Sequence, residues 1–237
     1  MRILVSGGSG EFCKELQRNA RKDQEIFAIK KEDMDVSKKI EIDRAIKKYS
    51  PDIFIHAGAL TRPMRLHEEN PSLSISSNIA GTCNVVISCI EHKLKLVYIS
   101  TDYVYPGTLG DYDELSPLLP VNKYGWSKLG GECAVMLYEN SLILRMAMTP
   151  FPFSHKLALS DCYKSSIYIT DAAKICLRLL EENGVINVGG KSQSIYDFAK
   201  ESNPKVGKIS MSDITDVQVA KNSTVDTTKL KRILNND

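Results

Sequence analysis

The sequence predicts an α/β protein built on a doubly wound parallel sheet, and two observations carry this prediction. Short runs of β-branched and apolar residues alternate with longer helix-prone stretches along most of the chain. Such alternation is typical of βαβ units, whose right-handed crossovers place helices on both faces of a parallel sheet. The first predicted strand also ends directly in a glycine-rich turn, as it does in sheets of this class that bind nucleotides.

Each strand is predicted from a short apolar run, and each helix from a longer stretch with apolar residues on one side. The predicted strands cover residues 2–6, 26–29, 52–56, 94–100, 142–146 and 185–188. The predicted helices cover residues 11–22, 37–49, 72–92, 122–139, 170–181 and 227–234. The second helix ends before Pro51, because a residue that precedes proline disfavours helical backbone. Gly, Pro and acidic residues predict a loop at 105–121.

The pattern changes after residue 148, where Pro150 and Pro152 interrupt it and later elements become shorter. We therefore expect a dinucleotide-binding domain at residues 1–148. A small C-terminal substrate-binding part at 149–237 is expected to interleave with this core. A chain of 237 residues is long enough for one large domain with a small annex.

Composition narrows the function classes. The net charge of +2 and the lack of a basic stripe give no support for nucleic-acid binding. Six scattered cysteines without a Cys-x-x-Cys pair predict neither a disulfide framework nor a zinc site, and they fit a reducing compartment. No histidine has a partner at metal-ligand spacing, so no metal is expected. Because we find no signal-peptide pattern and no apolar run near ~18 residues, we expect a cytoplasmic protein without a membrane span.

The turn after the first strand reads Gly7-Gly-Ser-Gly10-Glu-Phe-Cys13. A glycine-rich turn between a strand and a helix lets the backbone approach a pyrophosphate, whose charge the helix N-terminus favours. Cys13 replaces the third glycine of the motif, whose main role is close helix–strand packing that a small side chain also permits. A glycine turn alone is also typical of an ordinary loop, but its place between the first strand and a helix predicts dinucleotide binding.

The end of the second strand bears on the choice of cofactor. An acidic residue there favours NAD, whereas a basic residue can hold the extra phosphate of NADP. Lys30 and Lys31 follow the strand and favour NADPH, while Glu32 could serve the ribose of NAD instead. A lysine pair at a strand end is also typical of a solvated surface, so NAD stays open.

Tyr124 and Lys128 are four residues apart on the predicted helix 122–139, so both side chains can project into one cleft. An ammonium near a phenol stabilises the ionised phenol and eases proton exchange near neutral pH. Thr101, at the tip of the fourth strand, can share a hydrogen bond to a carbonyl oxygen. Tyr-x-x-x-Lys is frequent by chance, but the three residues together are more specific for a catalytic site.

Several longer stretches match one family in order along nearly the whole chain. They are Ser100-Thr-Asp-Tyr-Val-Tyr-Pro-Gly107, Gly110-Asp-Tyr-Asp-Glu-Leu-Ser-Pro117, Pro120-Val-Asn-Lys-Tyr-Gly-Trp-Ser-Lys-Leu-Gly-Gly-Glu132, Asp35-Val36, His56-Ala-Gly-Ala59, Asn78-Ile-Ala-Gly-Thr82 and Ser223-Thr-Val-Asp-Thr-Thr-Lys-Leu230. On these residues the chain resembles the extended short-chain dehydrogenase/reductases, and within them the dTDP-4-dehydrorhamnose reductase branch. The resemblance implies a Rossmann-type fold and NAD(P)H-dependent reduction of a nucleotide-linked 4-keto-6-deoxy sugar in dTDP-rhamnose biosynthesis.

The resemblance also implies a role for each matching residue. Tyr124 would donate a proton to the keto oxygen, Lys128 would bind the nicotinamide ribose, and Thr101 would hydrogen-bond the substrate oxygen. The further cofactor positions are Gly7, Gly10, Glu11 and Phe12 at the pyrophosphate, Asp35 and Val36 at the adenine, Ala57, Gly58 and Ala59 along the cleft, and Asn78. The further substrate positions are Thr61, Arg62, Asp102 and Tyr103.

Tyr103 narrows the reaction within the family. Dehydratases of the family carry Asp-Glu after the Ser or Thr, whereas this chain carries Asp102 and Tyr103, and it lacks the Ser-Cys pattern of the fucose-synthase branch. A sugar-nucleotide epimerase or a bifunctional 3,5-epimerase/4-reductase stays open. So does a non-catalytic NADP-binding regulatory subunit, like that of methionine adenosyltransferase in this branch. The segment between Arg145 and Tyr168 is shorter than in the family, so a partner subunit, for example in a homodimer, could complete the site.

Overall fold

The fold was determined as a computed structural model, which describes residues 1–235. Twelve strands and nine α-helices are formed in these residues, together with one π-helical segment and two 3₁₀ turns. The strands are β1 (Arg2–Ser6), β2 (Glu25–Ile29), β3 (Ile53–His56), β4 (Lys95–Thr101), β5 (Ser141–Met146), β6 (Met148–Thr149), β7 (Leu157–Leu159), β8 (Tyr163–Lys164), β9 (Ile167–Tyr168), β10 (Gly184–Val188), β11 (Gln193–Ser194) and β12 (Gly207–Ile209). The helices are α1 (Glu11–Asn19), α2 (Lys39–Tyr49), α3 (Met64–Glu69), α4 (Pro71–Ser74), α5 (Gly81–His92), α6 (Lys123–Val135), α7 (Ile169–Arg178), α8 (Ile195–Ser202) and α9 (Thr228–Asn235).

The central sheet has six parallel strands in the order β10-β5-β4-β3-β1-β2. This order confirms the predicted Rossmann-type α/β fold, because the chain moves outward from β1 in both directions. Three two-stranded pairs lie outside the sheet: β6 with β9, β7 with β12, and β8 with β11. All three contain strands from beyond residue 148.

Two hydrophobic cores cover the two faces of the central sheet. Ile3 and Val5 of β1 belong to the core that α1, α7 and α9 complete, whereas Leu4 belongs to the core that α2, α5 and α6 complete. Successive side chains of a strand point to opposite faces, so a sheet that is covered on both sides needs continuous apolar strands. The six residues of β5 are all buried, as this arrangement requires.

The sixth strand of the sheet comes from the C-terminal part. β10 pairs with β5 along its full length, and α7 supplies Ala172 and Cys176 to the first core. Residues beyond 148 therefore complete the central sheet.

Most predicted elements are present, with shifts at their ends. α1 ends at Asn19 rather than residue 22, because Ala20 already has extended backbone and β2 begins at Glu25. α6 ends at Val135 rather than residue 139. α3 and α8 were not predicted, since they are only six and eight residues long.

One long helix passes beneath the sheet on the side of the second core. α4, a π-helical turn at Ile75–Ala80 and α5 run on continuously from Pro71 to His92. Its length and composition would allow it to cross a membrane, contrary to the prediction that no stretch is long and apolar enough. One side of it packs against the protein, where Thr82 and Ser88 are buried and hydrogen-bonded to other elements, whereas Leu73, Ile75, Ile87 and Ile90 are exposed.

Candidate active site

The candidate site lies where the strand order reverses, outside the carboxyl ends of β1 and β3. Gly7 follows β1 with φ of +80°, and a Cβ atom there would lie 2.9 Å from the Cα atom of Gly58. The amide of Gly8 donates to the carbonyl of Ile29 at 2.8 Å, so the turn also meets the end of β2. α1 begins after Gly10 without a side-chain cap, which leaves its first amides available to an anion. The glycine turn is thus shaped for close approach by a phosphate group.

A buried chain of polar side chains supports these strand ends. The Oγ atom of Ser6 lies 2.8 Å from Nδ1 of His56, and Nε2 of His56 lies 3.0 Å from Oγ1 of Thr82. The amide of Gly58 also donates to the Ser6 hydroxyl, at 3.1 Å. Burial, assisted by the charge of Lys128, lowers the pKa of His56 to about 3. His56 is therefore neutral near pH 7. Its two hydrogen bonds connect β3 to β1 and to α5 behind the site.

The start of α6 sets the position of Tyr124. The side chain of Asn122 accepts a hydrogen bond from the amide of Gly125 at 2.9 Å and caps the helix. A Cβ atom at Gly125 would collide with the carbonyl oxygen of Tyr103, so glycine allows α6 to approach the turn after β4. The ring of Tyr124 contacts the rings of Tyr103 and His67, with centroids 6.0 and 5.1 Å away.

Tyr124 is held in its protonated form. Burial raises the pKa of Tyr124 to about 12, although a hydrogen bond with Thr101 and the charge of Lys164 lower it. A neutral phenol is a proton donor, and this one hydrogen-bonds with the hydroxyl at the tip of β4. The site can therefore deliver a proton to an acceptor that lies between Thr101 and Tyr124.

Lys128 lies one helical turn beyond Tyr124 and is 3% exposed. Its ammonium is 4.0 Å from the centroid of the Tyr98 ring. Burial lowers the pKa of Lys128 to about 7, against the attraction of Glu132. Burial is the main cause of both shifts, the raised pKa of Tyr124 and the lowered pKa of Lys128, and the tuning of Tyr124 by Lys128 stays a prediction.

A buried ion pair fixes α6 to β5. The Nη2 atom of Arg145 lies 2.8 Å from Oε2 of Glu132, and both side chains are at most 2% exposed. The guanidinium also donates to the hydroxyl of Tyr105 at 2.9 Å. These contacts hold the helix that carries Tyr124 against the sheet.

Three polar groups surround the carboxylate of Asp102, at the turn after β4. The hydroxyl of Thr101 donates to Oδ1 of Asp102 at 3.1 Å, and that of Ser223 donates to Oδ2 at 2.6 Å. The ammonium of Lys164 lies 2.7 Å from the same Oδ2 atom and 3.8 Å from the centroid of the Tyr103 ring. Asp102 is 1% exposed, so its charge is balanced within the protein.

The residues predicted for the adenosine end follow β2. Lys30 and Lys31 are exposed, next to the strand end that meets the glycine turn. Asp35 accepts a hydrogen bond from the amide of Ser37 at 3.0 Å. Burial alone would raise the pKa of Asp35, but the Ser37 bonds and the charge of Lys31 hold it below its usual value. Val36 is buried. Glu32 and Asp33 follow the two lysines and are exposed as well, so this end of the site carries charges of both signs.

Two predicted cofactor residues do not offer their side chains to the site. Phe12 is buried in the first core, so only its backbone can face a ligand. The amide group of Asn78 donates to the Leu60 carbonyl and to the Ser127 hydroxyl, and its oxygen accepts from the Leu60 amide. We correct the role of Asn78 accordingly: it joins the loop after β3 to α6.

A cleft of about 690 Å³ brings most of the remaining predicted residues together. Those that line it are Glu11, Ala57, Ala59, Thr61, Arg62, Thr101, Asp102, Tyr103, Tyr124 and Lys128. The opposite wall is largely apolar and comes from beyond residue 148. Its members include Pro150, Phe153, Leu157, Ile195, Phe198, Ile209 and Ile214. The shortened segment thus forms one side of the cleft within the same chain.

Sequence reasoning missed four residues of the site: His56 as a hydrogen-bonding centre, His67, Lys164 and Ser223. Their roles depend on contacts between distant segments, and Ser223 is 121 residues from the Asp102 carboxylate that it binds. The match at His56-Ala-Gly-Ala59 could have signalled His56, but no local pattern marks Lys164. Among residues 1–235, no group of three or more His, Cys, Asp or Glu side chains could hold a metal ion.

Comparison with known proteins finds one matching family model and relatives that are named as reductases. A family model described as the RmlD substrate binding domain matches residues 1–149. A dTDP-4-keto-6-deoxy-D-glucose reductase from Streptomyces niveus is 29% identical over 150 residues, which are 62% of this chain and 52% of that protein. The chain spans about half the length of the first curated reductases that it matches.

Two further relatives match over most of the chain. Methionine adenosyltransferase 2 subunit beta from Pongo abelii is 26% identical, covering 98% of this chain and 82% of that protein. The crystal structure of dTDP-4-dehydrorhamnose reductase from Bacillus anthracis, in complex with NADP, superposes with a TM-score of 0.88. It is 25% identical and covers 98% of this chain and 92% of that one.

Proposed function

The chain belongs to the family of the RmlD substrate binding domain, and from this premise we propose that it is an NADPH-dependent reductase of a nucleotide-linked 4-keto-6-deoxy sugar. One observation carries the proposal: a protonated Tyr124 and the hydroxyl of Thr101 meet at the cleft, with Lys128 one turn along the same helix. The names of the relatives from Streptomyces niveus and Bacillus anthracis support a substrate of the dTDP-4-dehydrorhamnose type. We assign the protein to dTDP-rhamnose biosynthesis in the cytoplasm on the same grounds.

The residues of the switch point fit a dinucleotide. Gly7 allows the turn to pack against the backbone of Gly58, where a Cβ atom would collide, and the uncapped start of α1 offers amides to a pyrophosphate. Lys30 and Lys31 favour the additional phosphate of NADP, and NAD is the less favoured cofactor. Asp35 and Val36 would meet the adenine, while Ala57, Gly58 and Ala59 would border the nicotinamide half. When bound, NADPH supplies the hydride that reduces the keto carbon.

The chain itself supplies the proton and the orientation. The hydroxyls of Thr101 and Tyr124 both face the keto oxygen in this proposal. Because its pKa is raised to about 12, Tyr124 carries its proton throughout the physiological range and transfers it as negative charge develops on that oxygen. Lys128 would bind the nicotinamide ribose. The apolar wall opposite excludes water and suits the methyl group of a 6-deoxy sugar.

The two parts of the chain would have different roles. Residues 1–148 would bind the cofactor, and residues 149–237 would complete the substrate side of the cleft. Thr61 and Arg62 line the cleft at its edge, where Arg62 would face the phosphates of the sugar nucleotide. Since one chain provides both walls, we propose that a homodimer would not need to share its site.

The test is reduction of dTDP-4-dehydrorhamnose, generated in the assay and followed by loss of NADPH absorbance, with the product identified by NMR. Tyr124→Phe should lower kcat by about 10²–10⁴-fold, because it removes the general acid. The matched control is Tyr138→Phe on the same side of the sheet, outside the cleft, which should keep nearly full activity. Undiminished turnover by Tyr124→Phe would refute the assignment.

The competing function is a regulatory subunit, which the relative from Pongo abelii represents. It is less well supported, because a subunit without catalysis does not require Thr101, Tyr124 and Lys128 around one cleft. An epimerase is not favoured by the reductase names of the relatives. Stoichiometric co-purification of an enzyme partner, together with no NADPH consumption on the keto sugar, would favour the regulatory function.

A further inference from the structure

Lys164 is a buried cation that the mechanism above does not use. It lies in β8, which pairs with β11, and its side chain is 13% exposed. It lines the same cleft as Thr101 and Tyr124. Burial alone would lower the pKa of Lys164, but the Asp102 carboxylate and the Tyr103 ring raise it above its usual value. Lys164 is therefore a charged group at physiological pH.

The position of Lys164 is fixed from both parts of the chain. The amide of Tyr163 donates to the carbonyl of Lys221, and the amide of Ser223 donates to the carbonyl of Tyr163. These bonds bring Lys164 and Ser223 together onto Oδ2 of Asp102, at 2.7 and 2.6 Å. The ammonium is thereby held against a carboxylate whose neighbour in the chain, Thr101, hydrogen-bonds with the proton donor.

The two charges of this pair act on Tyr124 in opposite directions. The negative charge of Asp102 raises the pKa of Tyr124, and the positive charge of Lys164 lowers it. A carboxylate and an ammonium 2.7 Å apart form a nearly neutral pair as seen from the phenol. Several ionisable groups face Tyr124 from the elements around it: Asp102 and Tyr103 after β4, Lys164 on β8, His67 on α3 and Lys128 on α6 itself.

We propose that Lys164 is a positioning residue of the reaction, whose ammonium holds Asp102 and the Tyr103 ring in place and offsets the charge of Asp102 where Tyr124 exchanges its proton. This inference rests on the proposed function for its place in the reaction, but the electrostatic effect itself belongs to the free protein. Without Lys164, a bare carboxylate would lie beside Thr101 and would oppose the phenolate that forms when Tyr124 gives up its proton. Lys164 therefore lowers the energy of the product state of proton transfer.

A direct role in binding substrate phosphates is a weaker explanation of the same residue. The Lys164 ammonium is already engaged by Oδ2 of Asp102 and by the Tyr103 ring. Arg62, by contrast, is exposed at the edge of the cleft and has no such buried partner to leave. The geometry thus favours an effect of Lys164 through Asp102 and Tyr103.

The test uses the full chain with Lys164→Met, Asp102→Asn, the double variant, and Lys164→Arg as the charge-conserving control. Two readouts follow Tyr124. One is ¹³C NMR of ring-labelled tyrosine, with Tyr124→Phe identifying the resonance. The other is the pH dependence of dTDP-rhamnose oxidation by NADP⁺, which requires the phenolate. A change of one unit in the pKa of Tyr124 alters the phenolate population about tenfold at a given pH below it.

The expected results have opposite signs for the two single variants. Lys164→Met should reduce the phenolate population and the oxidation rate near pH 8 by about tenfold. Asp102→Asn should move the Tyr124 titration to lower pH, and the double variant should return it to within about a factor of two of the wild-type titration. Lys164→Arg should keep the wild-type titration, since it keeps the charge.

Other results would overturn either the inference on Lys164 or the proposed function. Titration and pH profile that are unchanged in folded Lys164→Met would overturn the inference and leave Lys164 with a structural role alone. Failure of the double variant to restore the titration would also overturn it. If Lys164→Met does not fold, the double variant still decides: a return toward the wild-type titration supports the inference, and a titration equal to that of Asp102→Asn would overturn it. If the wild type does not oxidise dTDP-rhamnose, the proposed function fails, whereas the NMR titration still tests Lys164.

Discussion

Replacing Lys128 by methionine should stabilise the protein, because burial of the charged ammonium lowers the free energy of unfolding. Lowering its pKa from the ordinary value of 10.5 to about 7 corresponds to about 4–5 kcal/mol of penalty on the charged form. Losing the contact with the Tyr98 ring, at 4.0 Å, returns about 1–2 kcal/mol. We therefore expect the free energy of unfolding to rise by about 2–4 kcal/mol near pH 7, even though the variant loses activity.

The sign of the pH dependence follows from the lowered pKa. The unfolded chain keeps the ordinary lysine pKa, so the penalty is absent above about pH 10.5, grows as the pH falls, and is complete below about pH 7. The stabilisation by Lys128→Met should therefore shrink to less than about 1 kcal/mol near pH 10. A simple gain in packing would be the same at both pH values.

Urea denaturation at the two pH values measures this difference. Lys47→Met, at an exposed position near the end of α2, is the matched control and should change stability by no more than about 0.5 kcal/mol. A Lys128→Met variant that is no more stable than the wild type near pH 7 would refute the reasoning. So would a gain that does not depend on pH.

Two further predictions concern Glu132 and Gly7, which support the site. Glu132→Gln should lower the free energy of unfolding by about 3–5 kcal/mol, since it leaves the buried guanidinium of Arg145 without its counter-charge; a loss below about 1 kcal/mol in urea denaturation would contradict this. Gly7→Ala should abolish the thermal stabilisation that NADPH gives, because its Cβ atom would press on Gly58. Gly184→Ala has the same positive φ but open space around it, so it should cost about 1–2 kcal/mol and keep the NADPH effect.

The parts of the fold that the sequence predicts well are those that depend on residues close together in the chain. β1, the glycine turn and the start of α1 follow one another within a few residues, and the apolar run of β1 directly precedes Gly7. Tyr124 and Lys128 share a helix, so their spacing alone places both near one cleft. Such features need no knowledge of the distant chain.

The parts that sequence reasoning missed depend on contacts between remote segments. Lys164 lies in a two-residue strand, which is too short for any periodic pattern, and its partner Asp102 comes from the other part of the chain. Spacing likewise shows that Lys128 is near Tyr124, but only the packed structure shows how strongly burial shifts the pKa of each group. Asn78 was placed at the cofactor, yet its amide is used entirely by Leu60 and Ser127.

The sixth strand of the central sheet, β10, comes late in the chain, which affects both folding during synthesis and the choice of sites for dividing the chain. A nascent chain that has emerged as far as residue 149, the end of the recognised family segment, holds only five strands of the central sheet. At that stage β5 would be an unpaired edge whose residues are all meant to be buried, which is a template for association with other chains. The cooperative unit therefore extends past β10, and split or fusion designs should place their junctions after Val188 rather than at the family boundary.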